Sequence, residues 1–74
     1  MDADNLIHMA NRIGEFFQAM PDRAEAVDGV ATHIRKFWEP RMRQALFAAV
    51  DAGAAQSLLP VVREALESRR AELA

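Results

Sequence analysis

The sequence predicts an all-α fold, a small bundle of four short helices joined by short turns. Apolar residues recur three and four positions apart in each segment, which is the period of one helix face. Prolines at positions 21, 40 and 60 divide the chain into segments of helix length. No stretch alternates apolar and polar residues as a half-buried strand does, and the chain has no Tyr.

The first helix is predicted from about residue 4 to 20, with Asp4 or Asn5 as its N-cap. Gly14 lies in its middle, where Gly costs about 1 kcal/mol relative to Ala. We therefore expect another backbone to approach the helix closely at Gly14. Phe16 and Phe17 cannot both face one narrow stripe, so one of them should point towards a second helix or a partner.

Capping residues and prolines mark the other three helices. Asp22 is the expected N-cap of a second helix over residues 22–38. Pro40 begins a third helix over residues 40–52, and Gly53 is its expected left-handed cap.

The fourth helix is predicted over residues 58–72. Its last turns are mostly charged, which is typical of a solvated, fraying end. We expect the core to be formed by Leu6, Met9, Ile13, Phe16, Val27, Val30, Ile34, Leu46, Val50, Val62 and Leu66.

The corner between the second and third helices stands out in composition. The stretch from His33 to Arg43 contains four of the nine basic residues, the only Trp and one of the two His. A large aromatic surrounded by Arg is typical of the centre of a protein interface. Two interpretations of Trp38 remain open, an interface anchor or a core residue beside solvated arginines. The candidate partner-binding residues are Arg35, Lys36, Trp38, Arg41 and Arg43.

Bulk properties restrict the possible functions. A chain of 74 residues forms one small domain that buries only about 60% of its unfolded surface, so a partner chain is a natural stabiliser. The chain has no Cys, which excludes disulfides and thiolate metal sites. Its net charge of −2 argues against nucleic acid or an anionic membrane as partner. The acidic N-terminus and the lack of a long apolar run predict a cytoplasmic protein.

No residue pattern indicates catalysis. Ser57, Ser68 and Thr32 are the possible nucleophiles, but Ser57 and Ser68 have no His near them in sequence. Two His residues are too few for a zinc site. We expect no catalytic residue, no metal site and no cofactor in this chain. A small nucleic-acid-binding regulator is one alternative, because the basic corner with its aromatic could contact phosphates and stack on a base.

Three blocks of the sequence carry a family resemblance. They are Met9-Ala-Asn-Arg-Ile-Gly14 followed by Phe16-Phe17, then His33-Ile-Arg-Lys-Phe-Trp-Glu-Pro-Arg-Met-Arg43, and Leu59-Pro-Val-Val62. In this order they resemble the delta subunit of the soluble NAD-dependent, molybdenum-containing formate dehydrogenases over about residues 6 to 66. The Phe-Trp-acid-Pro-Arg-Met-Arg block is the specific one. Two departures are mild: the family usually has Asp where Glu39 stands, and often Gln where Arg12 stands.

The resemblance implies a small accessory subunit of a cytoplasmic enzyme complex, with a role in assembly or stability. In that family, the alpha subunit carries the bis-guanine-dinucleotide molybdenum cofactor and iron–sulfur clusters. The other large subunits carry FMN, further clusters and the NAD site. The implied partners are the alpha subunit first and the other subunits of the complex. The residue types of the basic corner make it the candidate contact with the alpha subunit. A transient chaperone for cofactor insertion is a second alternative.

Overall fold

The computed structural model describes residues 2–74, which contain helices and no strand. The five helices are α1 (Ala3–Phe17), α2 (Arg23–Phe37), α3 (Pro40–Asp51), α4 (Pro60–Ser68) and α5 (Arg70–Leu73). The predicted all-α class is therefore confirmed.

The helices begin at residues that suit a first turn. The Asp22 carboxylate accepts a hydrogen bond of 2.9 Å from the Ala24 N–H, as expected of an N-cap. At α1 the cap is Asp2 instead of Asp4 or Asn5, and it accepts from the Asp4 N–H at 3.0 Å. Pro40 occupies the first turn of α3, where a missing N–H leaves no bond unmade.

Gly53 ends α3 in the left-handed conformation that was predicted for it, with φ of 74°. The Gly53 N–H donates to the Val50 carbonyl at 3.0 Å, and the Ala54 N–H donates to the Ala49 carbonyl at 2.8 Å. This pair of bonds is a Schellman motif, which satisfies the last carbonyls of the helix.

The predicted fourth helix is broken near its end. It stops at Ser68, and Arg69 leaves the helical region with φ of −117° and ψ of 24° before α5 begins. The bend turns Leu73 into the core, where only 1% of its surface is exposed. The charged residues Glu67, Arg70 and Glu72 are exposed, as predicted for a solvated end. The prediction that this end frays is wrong, because burial of Leu73 holds the last turn against α2 and α4.

The core lies around α2, which packs against α1, α4 and α5. Two predicted core residues are wrong, since Met9 is 36% and Phe16 is 73% exposed. Ile13 and Val50 are partly buried against the core. The confirmed core residues are Leu6, Val27, Val30, Ile34, Leu46, Val62 and Leu66. Trp38, for which a place in the core was one of two interpretations, is buried. Other buried residues outside the predicted core list include Ile7, Ala10, Phe47, Leu58, Val61 and Leu73.

Small residues explain the error on α1. Its buried positions are Leu6, Ile7, Ala10 and Gly14, so the buried stripe runs through Ala and Gly instead of through the larger side chains. A Cβ added at Gly14 would lie 2.6 Å from Val62 Cγ2 and 3.2 Å from Leu59 Cδ1. Gly14 is therefore tightly packed as expected, but the neighbours are side chains of α4 and its preceding turn and not the backbone that was predicted.

Asn11 forms hydrogen bonds across the same contact between α1 and the turn before α4. Its amide nitrogen donates to the Ser57 carbonyl at 3.0 Å, and its amide oxygen accepts from the Leu59 N–H at 2.8 Å. Arg63 donates to the Ala55 carbonyl at 2.6 Å from the other side of the loop. Side chains therefore provide the hydrogen bonds that position this loop before α4.

An ion pair connects α3 to α5. The two terminal nitrogens of the Arg70 guanidinium, Nη2 and Nη1, donate to the Asp51 carboxylate at 2.6 and 3.0 Å. The same guanidinium lies 4.7 Å from the Phe47 ring centroid. The hydrogen bond from Arg70 holds the pKa of Asp51 below its ordinary value, and the positive charge of Arg70 adds to this effect.

We expect Gly14→Ala to lower the free energy of unfolding, by up to about 2 kcal/mol. Ala favours a helix over Gly by about 1 kcal/mol, but displacing Val62 and Leu59 in a filled core typically costs 1–3 kcal/mol. Urea denaturation measures the change. Ala48→Gly, at an exposed position of α3, is the matched control and should destabilise by helix propensity alone. A Gly14→Ala protein more stable than the parent would contradict the close contact.

We expect Arg70→Gln to raise the pKa of Asp51 towards its ordinary value, as measured by carboxyl NMR titration. Because the folded-state pKa is lowered, the contribution of Asp51 to stability is present above its unfolded-state pKa. It is lost as the pH falls through the folded-state pKa. Arg70→Lys keeps the positive charge but not the paired hydrogen bonds. In this variant, the pKa of Asp51 should therefore lie between its values in the parent and in Arg70→Gln. An unchanged titration of Asp51 in Arg70→Gln would show that the ion pair does not persist in solution.

Candidate partner-binding surface

Trp38 belongs to the core. Only 6% of its surface is exposed, and it packs within the cluster of buried side chains around α2. Its backbone N–H donates to the Ile34 carbonyl at 3.0 Å, which closes the last turn of α2. Of the two interpretations of Trp38, the structure supports the core residue, so Trp38 has little surface to offer a partner.

Arg43 is engaged within the chain. Its Nε donates to the Leu73 carbonyl at 2.9 Å, and its Nη1 donates to the Trp38 carbonyl at 2.9 Å and to the Arg35 carbonyl at 3.4 Å. A guanidinium is well placed at these carbonyls, because the ends of α2 and α5 carry negative partial charge. Arg43 therefore joins three helices, and its guanidinium is engaged within the chain instead of being free for the partner binding that the sequence suggested.

The other three basic residues of the corner are exposed. The Arg41 side chain is 77% exposed and lies 4.0 Å from the Glu39 carboxylate, a contact of little energetic value at the surface. Arg35 and Lys36 are exposed at the end of α2. Within residues 2–74, no carboxylate lies within ion-pair distance of Lys36.

A row of aromatic rings on the outer face of α1 and α2 was not predicted as a site. We call Phe16, Phe17, His33 and Phe37 the aromatic ladder. Successive ring centroids are 5.0, 6.5 and 4.8 Å apart, which is within the range of favourable aromatic contacts. The two outer rings are largely in solvent, with Phe16 73% and Phe37 71% exposed. Exposed aromatics arranged side by side are typical of a binding surface.

Gly29 allows the ladder to form. A Cβ added at Gly29 would lie 2.4 Å from Phe17 Cδ1, so only Gly lets the Phe17 ring lie directly on the α2 backbone. The expectation that one of the two adjacent phenylalanines meets a second helix is confirmed by Phe17. A shallow groove of about 330 Å³ opens beside this contact. Its lining residues are Phe17, Asp28, Gly29, Thr32, His33, Lys36 and Phe37.

Two charged residues line the groove, and one of them is paired with a residue outside it. Asp28 and Lys36 are its two lining residues with formal charge. The Asp28 carboxylate already accepts a hydrogen bond of 3.0 Å from Arg69 Nη1. Lys36 is thus left as the groove cation available to a carboxylate from outside.

A sequence signal for the ladder existed in the two aromatic pairs. Neighbouring residues on a helix lie about 100° apart, so a pair such as Phe16-Phe17 cannot bury both rings in one stripe. At Phe37-Trp38 the chain buries Trp38 and leaves Phe37 outside. The pattern indicates that one ring of each pair is exposed, but it does not reveal that the exposed rings meet across two helices.

Within residues 2–74, no three His, Asp or Glu side chains cluster in a way that could hold a metal ion. None of the helices described is both long and apolar enough to cross a membrane.

Comparison with known proteins identifies one family. The family model for the NADH-dependent formate dehydrogenase delta subunit, FdsD, matches residues 5–66 of the 74-residue chain. No curated protein and no solved structure matches the chain.

We expect Arg43→Met to lower the free energy of unfolding by about 1.5–3 kcal/mol, the usual range for hydrogen bonds from a charged group. The carbonyls of Leu73, Trp38 and Arg35 would lose their donor. Arg41→Met, two residues away and exposed, is the matched control and should change stability by less than about 0.5 kcal/mol. Thermal and urea denaturation measure both variants. Equal stability of the two would show that Arg43 does not join the helices.

Proposed function

Because the chain belongs to the delta-subunit family of NADH-dependent formate dehydrogenases, we propose that it is a non-catalytic accessory subunit of that complex in the cytoplasm. Membership makes it one component of a multisubunit enzyme. The proposal adds that it binds the alpha subunit, which carries the molybdenum cofactor in this family. It further adds that this binding supports assembly or stability of the active complex.

The aromatic ladder is the observation that supports this role. Phe16 and Phe37 each expose more than two thirds of their surface, although burying a Phe side chain stabilises by about 1.5–3 kcal/mol. Large aromatics that remain in water in so small a chain are well explained by a surface that is covered in the assembled complex. Tight interfaces depend on a few such anchors instead of on total area.

The exposed cations of the corner provide the electrostatic part of the proposed contact. Arg35, Lys36 and Arg41 are exposed and can contact a partner. Trp38 is buried in the core, and Arg43 is hydrogen-bonded within the chain. The original interface hypothesis is therefore revised to these three cations together with the ladder. Such charges at the rim of an interface mainly accelerate association and make it sensitive to salt.

We propose that the chain takes part in no electron transfer of its own. In this family the molybdenum cofactor, the iron–sulfur clusters, the FMN and the NAD site belong to the larger subunits. We expect the purified chain to be colourless and to contain no stoichiometric metal or flavin, as measured by elemental analysis and absorption spectroscopy. A metal or flavin bound at one equivalent would contradict the non-catalytic role.

The association itself is tested by co-expressing the chain with the tagged alpha subunit and the other subunits of the complex. We expect the parent chain to copurify at one-to-one stoichiometry, and a Phe16→Ser/Phe37→Ser variant to be retained at least tenfold less. Both positions are exposed, so the variant should keep its helicity and change little in stability.

Ala48→Ser, an exposed position on α3, is the control and should be retained like the parent. If the parent chain does not associate with the complex, the accessory-subunit proposal is wrong. Full retention of the folded double variant would instead move the contact to another face. Formate oxidation by complexes assembled with and without the chain then measures its effect on assembly.

A further inference from the structure

We propose that the aromatic ladder and its groove bind an amphipathic helix of the partner, with a carboxylate on that helix paired to Lys36. This inference rests on the proposed function, because it names the chemistry of the segment that meets the ladder. It is argued from the spacing of the rings, the floor of the groove and its charge.

The spacing of the ladder suits a helix. Its outer steps are 5.0 and 4.8 Å between ring centroids and its middle step is 6.5 Å, close to the 5.4 Å pitch of an α-helix. The row therefore extends over at most about three helical turns. A partner helix can place apolar residues at positions i, i+3 or i+4, and i+7 against successive rings, which is the usual pattern of a helix in a groove.

The floor of the groove leaves room for one of these residues. Gly29 has no side chain, and the Phe17 ring lies against it, so the groove between Phe17 and Phe37 remains open over the α2 backbone. An apolar side chain of the partner that enters this space contacts aromatic rings on both sides. A few such apolar anchors, excluded from water by the residues around them, contribute most of the energy of a typical interface.

The charge of the groove selects the partner. Arg69 pairs with one oxygen of Asp28 at 3.0 Å, whereas no carboxylate of residues 2–74 lies within ion-pair distance of Lys36, so Lys36 is the groove charge left to pair with an incoming segment. A second copy of this chain is a poor occupant, because a two-fold contact brings the same patch against itself. That arrangement offers Lys36 no carboxylate within the groove other than Asp28, which is already paired. A partner helix with Asp or Glu beside its apolar stripe satisfies both the rings and the ammonium group.

The test uses the full chain and the co-expressed alpha subunit. Lys36→Gln should weaken the affinity for the alpha subunit up to about fivefold at low salt, the upper range for an exposed ion pair. It should also reduce the dependence of the affinity on salt. Gln56→Glu lies in an exposed loop outside the groove and changes the net charge by the same amount. This control should leave the salt dependence unchanged, and equal effects of both variants would overturn the pairing with Lys36.

A photo-crosslinker identifies the occupant directly. Phe37→p-benzoylphenylalanine, irradiated in the assembled complex, should cross-link to a helical peptide of the alpha subunit with apolar residues three and four apart and an Asp or Glu among them. Cross-links to a second copy of this chain, or to a peptide without a carboxylate, would overturn the inference. So would retention of the chain in the complex without a cross-link, and that result would leave the accessory-subunit proposal standing. Failure of the parent chain to associate would reject both.

Discussion

The contact between α1 and α4 at Gly14 is the constraint on which the rest of the structure depends. The Val62 side chain comes so close that a Cβ on residue 14 would lie 2.6 Å from it. This approach lets α4 pack on α1 and α2 at once, which closes the core with residues such as Val61 and Leu66. Because the contact joins parts of the chain more than 40 residues apart, its formation must offset the entropy of closing that loop.

The position of α4 in turn gives Arg43 its role. The bend at Arg69 brings Leu73 into the core, and this places the Leu73 carbonyl 2.9 Å from Arg43 Nε. One guanidinium then donates hydrogen bonds to carbonyls at the ends of both α2 and α5. A basic residue beside an aromatic one can therefore have a structural role. Helix ends carry unpaired carbonyls with negative partial charge, and these attract Arg and Lys side chains as the carboxylates of a partner protein would.

The surface of the chain connects its stability to its proposed function. The core holds mostly small and medium-sized apolar residues, while two of the four Phe rings remain largely outside. A domain of this size is expected to be marginally stable by itself. A partner that covers the ladder binds the folded chain and not the unfolded one, so it also raises the stability of the fold. Association and folding of such a subunit are thus expected to depend on each other.

The helical content and most helix boundaries followed from local signals. Asp22, Pro40, Pro60 and Gly53 act on their own neighbours in the chain, so their effects do not depend on what packs against them. Membership of the delta-subunit family was likewise predicted from the short blocks of sequence, and the match over residues 5–66 confirms it.

The identity of the buried face and of the candidate surface could not be obtained in the same way. The apolar period on α1 allows several stripes, and packing against α4 selected the one through Ala10 and Gly14, which leaves Phe16 outside. The choice between Trp38 in the core and Trp38 at an interface likewise depended on what packs around it. Local sequence determined where this chain is helical, because capping and periodicity act within a few residues. Only the tertiary structure decided which aromatic and basic side chains face solvent, because that depends on helices distant in sequence.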